Sequence, residues 1–99
     1  MYDAILGVPY SECEFKSDIP CVSEEEAIAI ATGAKLMGNK NVLVFMQNSG
    51  LGRCIDIITS LCKPYDIFIP LYVHRRTKPE HHKYMGLIQN KLMELIGYE

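Results

Sequence analysis

Short apolar runs alternate with longer amphipathic segments along this chain. The apolar runs, each short enough for one strand, lie at residues 4–8, 19–22, 42–45 and 67–73. Apolar residues recur at helical spacing in three other segments, at residues 24–37, 53–62 and 86–96. Runs of four to eight apolar residues are typical of buried strands, and a 3.6-residue spacing indicates helices. Strands that alternate with helices predict an α/β fold with a mainly parallel sheet flanked by helices.

The first helix has the clearest predicted boundaries. Ser23 precedes three acidic residues and is expected to cap the helix, with Glu26 at the third helical position completing a capping box. Gly38 and Asn39 are expected to end it. In the last helix, the spacing predicts that the apolar residues facing the core are Leu87, Leu92, Met93, Leu95 and Ile96.

Two parts of the strand pattern are irregular. Pro70 lies inside the fourth apolar run, which predicts an edge strand or a bulge there. Only residues 11–18 separate the first two runs, too few for the helical crossover that joins neighbouring parallel strands. Either the first run is not a parallel neighbour of the second, or their connection is irregular.

Polar residues cluster where the predicted strands end. The segments concerned are residues 9–11, 23–24, 47–52 and 74–76. The carboxyl ends of parallel strands meet at one edge of a sheet, and ligands of α/β proteins bind beyond that edge. We therefore expect a binding site there.

The most informative of these segments is the MQNSGLG run at residues 46–52. A strand that ends in small, polar, glycine-broken residues before a helix directs backbone N–H groups into one concavity, which suits an anion or the polar edge of a cofactor. Gly50 lets the backbone approach a ligand closely, and Asn48 and Ser49 can cap the helix or hydrogen-bond outward. The alternative is an ordinary strand-to-helix turn with a good cap.

Composition restricts the class of protein. The 99 residues, 48% of them hydrophobic, suffice for one domain with a core, spanning residues 1–99. A net charge of −2 argues against nucleic-acid binding through bulk electrostatics, and the local cluster of His74, Arg75, Arg76 and Lys78 fits a small anion better. No apolar run is long enough to span a bilayer and the N-terminus has no signal sequence, so we expect a cytoplasmic protein without membrane association.

The four cysteines form no CxxC pair. Cys54 and Cys62 fall on the second predicted helix and Cys21 on the second predicted strand, which favours reduced core thiols. A zinc site that recruits His81 or His82 is disfavoured because the ligand spacing is absent, so no metal ligands are predicted.

Four segments of the chain occur in the order found in one enzyme family. They are residues 7–11, 24–33, 46–52 and 79–86. Together they resemble the pyrimidine-binding (PYR) domain of thiamine-diphosphate-dependent 2-oxoacid decarboxylases. The resemblance covers residues 7–86 and is greatest to sulfopyruvate decarboxylase alpha subunits, with phosphonopyruvate decarboxylases next. It implies a lyase subunit that converts sulfopyruvate to sulfoacetaldehyde and CO2, with thiamine diphosphate and Mg²⁺ as cofactors.

The resemblance also implies which residues bind the cofactor. Glu24 matches the catalytic glutamate that hydrogen-bonds N1′ of the aminopyrimidine. Without the resemblance, Glu24 is one of three solvated carboxylates that complement a helix dipole. The other residues that match cofactor-binding positions are Gly7, Pro9, Gln47, Asn48, Ser49 and Gly50.

Other candidates concern catalysis and the substrate. His81 and His82 match a catalytic family histidine near Gly86, and the spacing does not decide between them; the alternative is two exposed loop histidines. Ser11 stands where related decarboxylases carry an acid, on the substrate side. Arg75 and Arg76 are candidates to neutralise the carboxylate or the sulfonate or phosphonate of a doubly anionic substrate, and a solvated pair is the alternative.

The sequence departs from the family in two ways. The helix before the first strand and the helical segment after Ser11 are missing, so the PYR-like domain is expected to be shortened at its N-terminal side. The Gly-Asp-Gly motif that holds magnesium and diphosphate is also missing. The resemblance therefore implies a hetero-oligomer in which a diphosphate-binding beta-type subunit holds both, and in which this chain is inactive alone. The alternatives are a phosphonopyruvate decarboxylase subunit and a shortened non-catalytic α/β interaction module.

Overall fold

Three parallel strands form one sheet. The computed structural model describes residues 1–78 and 80–98, without the side chain of His81. In sheet order, the strands are β1 (Ala4–Gly7), β2 (Val42–Gln47) and β3 (Leu71–His74). Both neighbouring pairs are parallel, with Leu6 beside Val44 and Val44 beside Leu71. The predicted α/β class with a parallel sheet and flanking helices is confirmed.

Helices connect the strands and follow the last one. The α-helices are α1 (Glu24–Gly38), α2 (Leu51–Ile57) and α3 (Lys83–Leu95). A 3-10 turn at Asn48–Gly50 leads into α2, and the π-helical segment Ile58–Cys62 extends it. A second 3-10 turn, Glu80–His82, precedes α3. The helix predicted at residues 53–62 is therefore present but begins earlier.

One face of the sheet packs against the helices. Its strand residues are Ala4, Leu6, Val42, Val44, Met46, Leu71 and Val73, and they share one core with residues of all three helices. The opposite face is covered by aromatic side chains of the segment after β1. There Phe15 stacks on Phe45 at a centroid distance of 5.2 Å, and Tyr10 meets the same ring edge-on at 6.4 Å.

The predicted ends of the first helix are confirmed. The Ser23 side chain accepts a hydrogen bond from the Glu26 N–H at 3.1 Å. The Glu26 carboxylate reaches back to the N–H of Val22 at 2.7 Å, one residue before the position that a capping box uses. Asn39 ends the helix in the left-handed conformation, with φ of 51°.

The second predicted strand, residues 19–22, is wrong. The structure has only a single bridge there, between Gly7 and Pro20, and Cys21 lies outside any strand. Side chains replace the missing ladder: the Asp18 carboxylate accepts from the Ile5 N–H at 2.8 Å, and the Ser17 hydroxyl accepts from the Gly7 N–H at 3.1 Å. The connection after β1 is thus irregular, and β2 is the parallel neighbour of β1.

The boundaries of β3 and α3 also differ from the prediction. Residues 67–70 precede β3, although the carbonyl of Pro70 accepts the Val44 N–H at 3.0 Å. Proline has no N–H of its own, so the strand begins after it. Leu87 and Leu95 are 69% and 72% exposed, so their predicted core position is wrong, whereas Ile96 is buried as predicted. The helix turns Gly86 and Gln89 toward the interior instead.

Candidate functional site

Glu24 and the 48–50 turn lie in direct contact. α1 begins at Glu24, and β2 runs directly into the turn. A Cβ atom placed on Gly50 would lie 2.5 Å from Glu24 Cγ and 2.8 Å from Glu24 Oε2, closer than real Cβ atoms approach. Because glycine occupies this position, the half-buried Glu24 side chain rests directly against the backbone of the turn.

The turn does not cap α2 as predicted. Neither Gln47 at its start nor Gly50 before α2 makes a side-chain capping hydrogen bond. Asn48 is fully buried and its Nδ2 donates to the main-chain oxygen of Arg76, 2.9 Å away, while Ser49 is exposed. No side chain therefore caps the N–H groups of the turn, whereas the N–H of Leu51, the first residue of α2, donates to the Asn48 carbonyl.

Arg76 joins the segment after β3 to the end of β2. Its guanidinium donates to Gln47 Oε1 at 2.9 Å, and its carbonyl accepts from Asn48. The Oδ1 atom of Asn48 is buried without a hydrogen-bond partner among the described residues. A buried acceptor of this kind is normally satisfied by a water molecule or a bound group.

The adjacent arginines have different surroundings. Arg76 is half-buried in the contacts above, whereas Arg75 is exposed and donates to the main-chain oxygen of Gly86. Gly86 is buried, and a Cβ there would lie 2.7 Å from Thr77 Cγ2 and 3.1 Å from the Arg76 carbonyl oxygen. α3 therefore packs closely on residues 75–77. The alternative of a solvated pair does not describe Arg76.

The structure describes the side chain of only one of the two histidine candidates, His82. The side chain of His81 and the residue Pro79 lie outside the described part of the chain. His82 directly precedes α3 and is 4% exposed, so the alternative of an exposed loop residue is wrong for it. The catalytic role of His82 stays a prediction.

The candidates after β1 are spread out. Ser11 and Pro9 are exposed. Gly7 is buried, and a Cβ there would collide with the main-chain oxygen and the ring of Phe45. Gly7 thus permits close packing between β1 and β2, whereas Glu24, Gly50, Gln47 and Asn48 form the contacts at the site itself.

Three residues, His74, Tyr10 and Cys54, make contacts that the sequence interpretation did not predict. His74 ends β3 and stacks on Tyr10 at a centroid distance of 5.2 Å, and burial, followed by the nearby Cys13, raises the pKa of Tyr10 to about 12. Both residues stood at predicted strand ends, but nothing in their spacing indicated that they pair. Cys54 lies in α2 and its thiol donates to the Gly50 carbonyl at 3.6 Å.

The pKa of the Cys54 thiol is raised by its burial and by the acidic residues at the start of α1. The thiol is fully buried, and burial raises its pKa to about 12, with the charges of Glu24 and Glu25 adding to the effect. Cys54 is therefore a neutral thiol at ordinary pH. The predicted core thiols Cys54 and Cys62 are both free and buried.

Residues 1–78 and 80–98 contain neither a cluster of metal ligands nor a membrane-spanning helix. No three His, Cys, Asp or Glu side chains in this part come close enough together to hold a metal ion. None of its helices combines the length and the apolar character that crossing a membrane requires.

Curated proteins similar to this chain share one name. The chain is 43% identical over 82 residues to the sulfopyruvate decarboxylase subunit alpha of Methanococcus maripaludis, an alignment that covers 79% of this chain. It is a relative of these alpha subunits. The proteins of that name from Methanothermobacter thermautotrophicus and Methanocaldococcus jannaschii are 41% and 44% identical over 63 and 59 residues, or 63% and 60% of this chain. No family model matches the chain.

The resemblance predicted from the sequence is confirmed by these relatives. The alignments span 48%, 38% and 34% of the three alpha subunits, so this chain spans about half of their length or less. The word subunit in the relatives' names implies an enzyme of more than one chain. The activity, substrate and partner of the whole protein are taken up as a proposal.

Proposed function

We propose that this chain carries the pyrimidine-binding part of the alpha subunit of a thiamine-diphosphate-dependent 2-oxoacid decarboxylase, with sulfopyruvate as substrate. The observation that carries the proposal is the contact between Glu24 and Gly50, which joins a carboxylate at a helix start to the MQNSGLG turn. The names of the three relatives support the reaction class and the substrate.

The residues present fit the edge of an aminopyrimidine. Because Gly50 has no side chain, the Glu24 carboxylate lies directly against the backbone of the turn, so a ring bound at the turn would meet both. Asn48 supplies a buried acceptor that lacks a donor, and no side chain caps the N–H groups at the start of the 48–50 turn. Acceptors and donors together match a ring that carries both nitrogen lone pairs and an amino group.

In this proposal each residue has a definite task. Glu24 would hydrogen-bond a ring nitrogen of the cofactor and exchange its proton, Asn48 and the 48–50 backbone would hold the ring, and Gln47 keeps the turn in place through Arg76. Thiamine diphosphate, when bound, supplies the electron sink that decarboxylation of a 2-oxoacid requires. Gly7 and Pro9 keep their predicted role in cofactor binding without a described contact to Glu24 or Gly50, and Ser11, His81 and His82 remain candidates for the substrate side and proton transfer.

The diphosphate and Mg²⁺ are assigned to a beta-type partner subunit. The word subunit in the names of the relatives supports that division. We expect a hetero-oligomer that acts on a small anionic 2-oxoacid, without nucleic acid or membrane. The cytoplasmic location stays a prediction.

The test is the Glu24→Gln variant of the full-length alpha subunit, assayed with its beta-type partner, thiamine diphosphate and Mg²⁺. Glutamine keeps the size of the side chain but cannot exchange the proton, so we expect kcat to fall by about 10²–10⁴. Glu25→Gln is the matched control, because Glu25 is the exposed neighbour in the same helical turn. A Glu24→Gln enzyme with the kcat of the unmodified enzyme would refute the role of Glu24.

The same assay decides between the alternatives. Turnover of phosphonopyruvate in preference to sulfopyruvate would assign the subunit to the other decarboxylase group. Stable association of the two chains without turnover of any 2-oxoacid, and without cofactor binding, would indicate a non-catalytic interaction module.

A further inference from the structure

A cationic cleft lies along the segment that follows β3 and contains Arg76. It has a volume of about 520 Å³ and runs between the segment after β3 and the start of α3. The charged residues that line it are Arg75, Lys78, Glu80 and Lys83, and the wall is completed by Thr77, Gly86 and Leu87. Three cationic side chains against one carboxylate leave the cleft with an excess of positive charge, although the protein as a whole has a net charge of −2.

Arg75 is held at the wall of this cleft. Its guanidinium donates to the Gly86 carbonyl, which fixes the side chain against α3. An arginine carries five N–H donors in a planar fork, so one such bond leaves donors for an oxyanion. The neighbouring Arg76 is instead engaged with Gln47 and Asn48. The pair is therefore divided between holding the turn and lining the cleft.

Lys83 is placed against the usual electrostatic preference of a helix. It is the first residue of α3, whose first turn holds no acidic residue, and the 3-10 turn that leads into α3 carries one, Glu80, whereas α1 opens with three. A cation at a helix N-terminus opposes the helix dipole and costs a few tenths of a kcal/mol or more. Local conflicts of this kind are expected at functional sites. An anion in the cleft would relieve the repulsion among the three cations and the positive end of the helix.

We propose that this cleft binds the sulfonate group of the substrate, with Arg75, Lys78 and Lys83 as the binding residues. The assignment rests on the proposed function, and it separates Arg75, which binds substrate, from Arg76, which positions the turn. The cleft and the Glu24 contact are joined through Arg76, whose carbonyl accepts from Asn48 at the turn that holds Gly50. A sulfonate is a tetrahedral oxyanion, and guanidinium and ammonium groups bind such anions through charge-assisted hydrogen bonds.

The first test measures binding without catalysis. The full-length chain is titrated with methanesulfonate, inorganic phosphate and acetate, followed by amide chemical shifts of residues 75–87. We expect methanesulfonate to bind, and Arg75→Gln and Lys83→Gln each to weaken it about fivefold, as for exposed charge pairs. Glu80→Gln removes the one carboxylate and should strengthen binding by a similar factor. Lys91→Gln, an exposed lysine of α3 outside the cleft, should leave it unchanged.

Two outcomes of the titration would overturn the proposal. One is methanesulfonate binding that is unchanged in both Arg75→Gln and Lys83→Gln, with circular dichroism showing that the variants are folded. The other is a cleft that takes up phosphate or acetate but not methanesulfonate. The Glu80→Gln variant removes a negative charge and keeps all three cations of the cleft. Its expected gain in affinity therefore does not depend on the folding of the other variants.

Kinetics of the complex with the partner separate this proposal from the proposed function. In an active complex, Arg75→Gln should raise KM for sulfopyruvate about fivefold and leave kcat nearly unchanged. An active complex with an unchanged KM refutes the cleft as the sulfonate site while the decarboxylase function stands. An inactive complex whose alpha chain still binds methanesulfonate in a charge-dependent way refutes the function but supports the oxyanion site.

Discussion

Replacing Gly50 by alanine tests whether the turn positions the carboxylate of Glu24. The added Cβ would lie 2.5 Å from Glu24 Cγ, whereas ordinary contact begins at 3.4 Å, so the side chain must retreat by about 1 Å. Gly50 has φ of −80° and ψ of −15°, which alanine adopts without strain. The colliding atoms belong to a half-buried side chain that can rotate, so the cost in stability should lie near the lower end of the usual 1–3 kcal/mol for overpacking, about 1 kcal/mol.

The effect on catalysis should be much larger than the effect on stability. A 1 Å displacement of a catalytic group can lower the rate by about 10². Under the proposed function, we therefore expect Gly50→Ala to reduce kcat about a hundredfold in the complex with the proposed beta-type partner, while the urea midpoint moves little. Gly52→Ala is the matched control, because Gly52 is exposed in the first turn of α2, two residues after Gly50, and a Cβ there meets nothing within 4 Å. It should stabilise the protein by about 0.5 kcal/mol and keep kcat. Equal kcat values for the two variants would refute the reasoning.

Three further changes probe stability. Gly7→Ala places a Cβ against the main-chain oxygen and ring of Phe45, which belong to a buried strand, so we expect a loss of about 3 kcal/mol in urea unfolding, and a loss below 1 kcal/mol would contradict this packing. Ser23→Ala removes the cap of α1 and should cost about 1 kcal/mol, whereas an unchanged urea midpoint would mean that the cap contributes nothing. Burial raises the pKa of Tyr98 from 10.0 in the unfolded chain to about 12 in the folded protein, so the unfolded chain loses this proton first. The free energy of unfolding should therefore fall between about pH 10 and 12, by roughly 1 kcal/mol per pH unit. In Tyr98→Phe this part of the alkaline decline should disappear, and an unaltered decline would show that other groups cause it.

Local signals predicted the parts of the fold that local interactions determine. The start of α1 follows from the Ser23 and Glu26 contacts, which lie within four residues of each other, and its end follows from Asn39. The alternation of apolar runs predicted a parallel sheet, because each crossover needs a helix. Glu24 does contact the turn at the end of β2, but the sequence placed it there through a strand at residues 19–22 that the structure lacks.

Features that depend on contacts between distant residues could not be predicted in this way. Residues 19–22 have the composition of a strand, but the hydrogen bonds of β1 are taken by the side chains of Ser17 and Asp18. Leu87 and Leu95 fit the helical period, yet the close packing of Gly86 on Thr77 decides which side of α3 faces inward. The different contacts of Arg75 and Arg76 depend in the same way on distant residues, because Arg75 bonds to Gly86, 11 residues away, and Arg76 to Gln47, 29 residues away.

The side-chain contacts along β1 also affect how the protein can associate. An exposed strand edge with unpaired N–H and C=O groups invites pairing with another chain and, when repeated, open-ended aggregation. Here Asp18 and Ser17 occupy the outer N–H groups of Ile5 and Gly7, and the Asp18 N–H occupies the Ile5 carbonyl at 2.8 Å. A further strand can therefore join this sheet only beyond β3. A sheet that is blocked on one side can pair once with another molecule, but it cannot grow into a fibre.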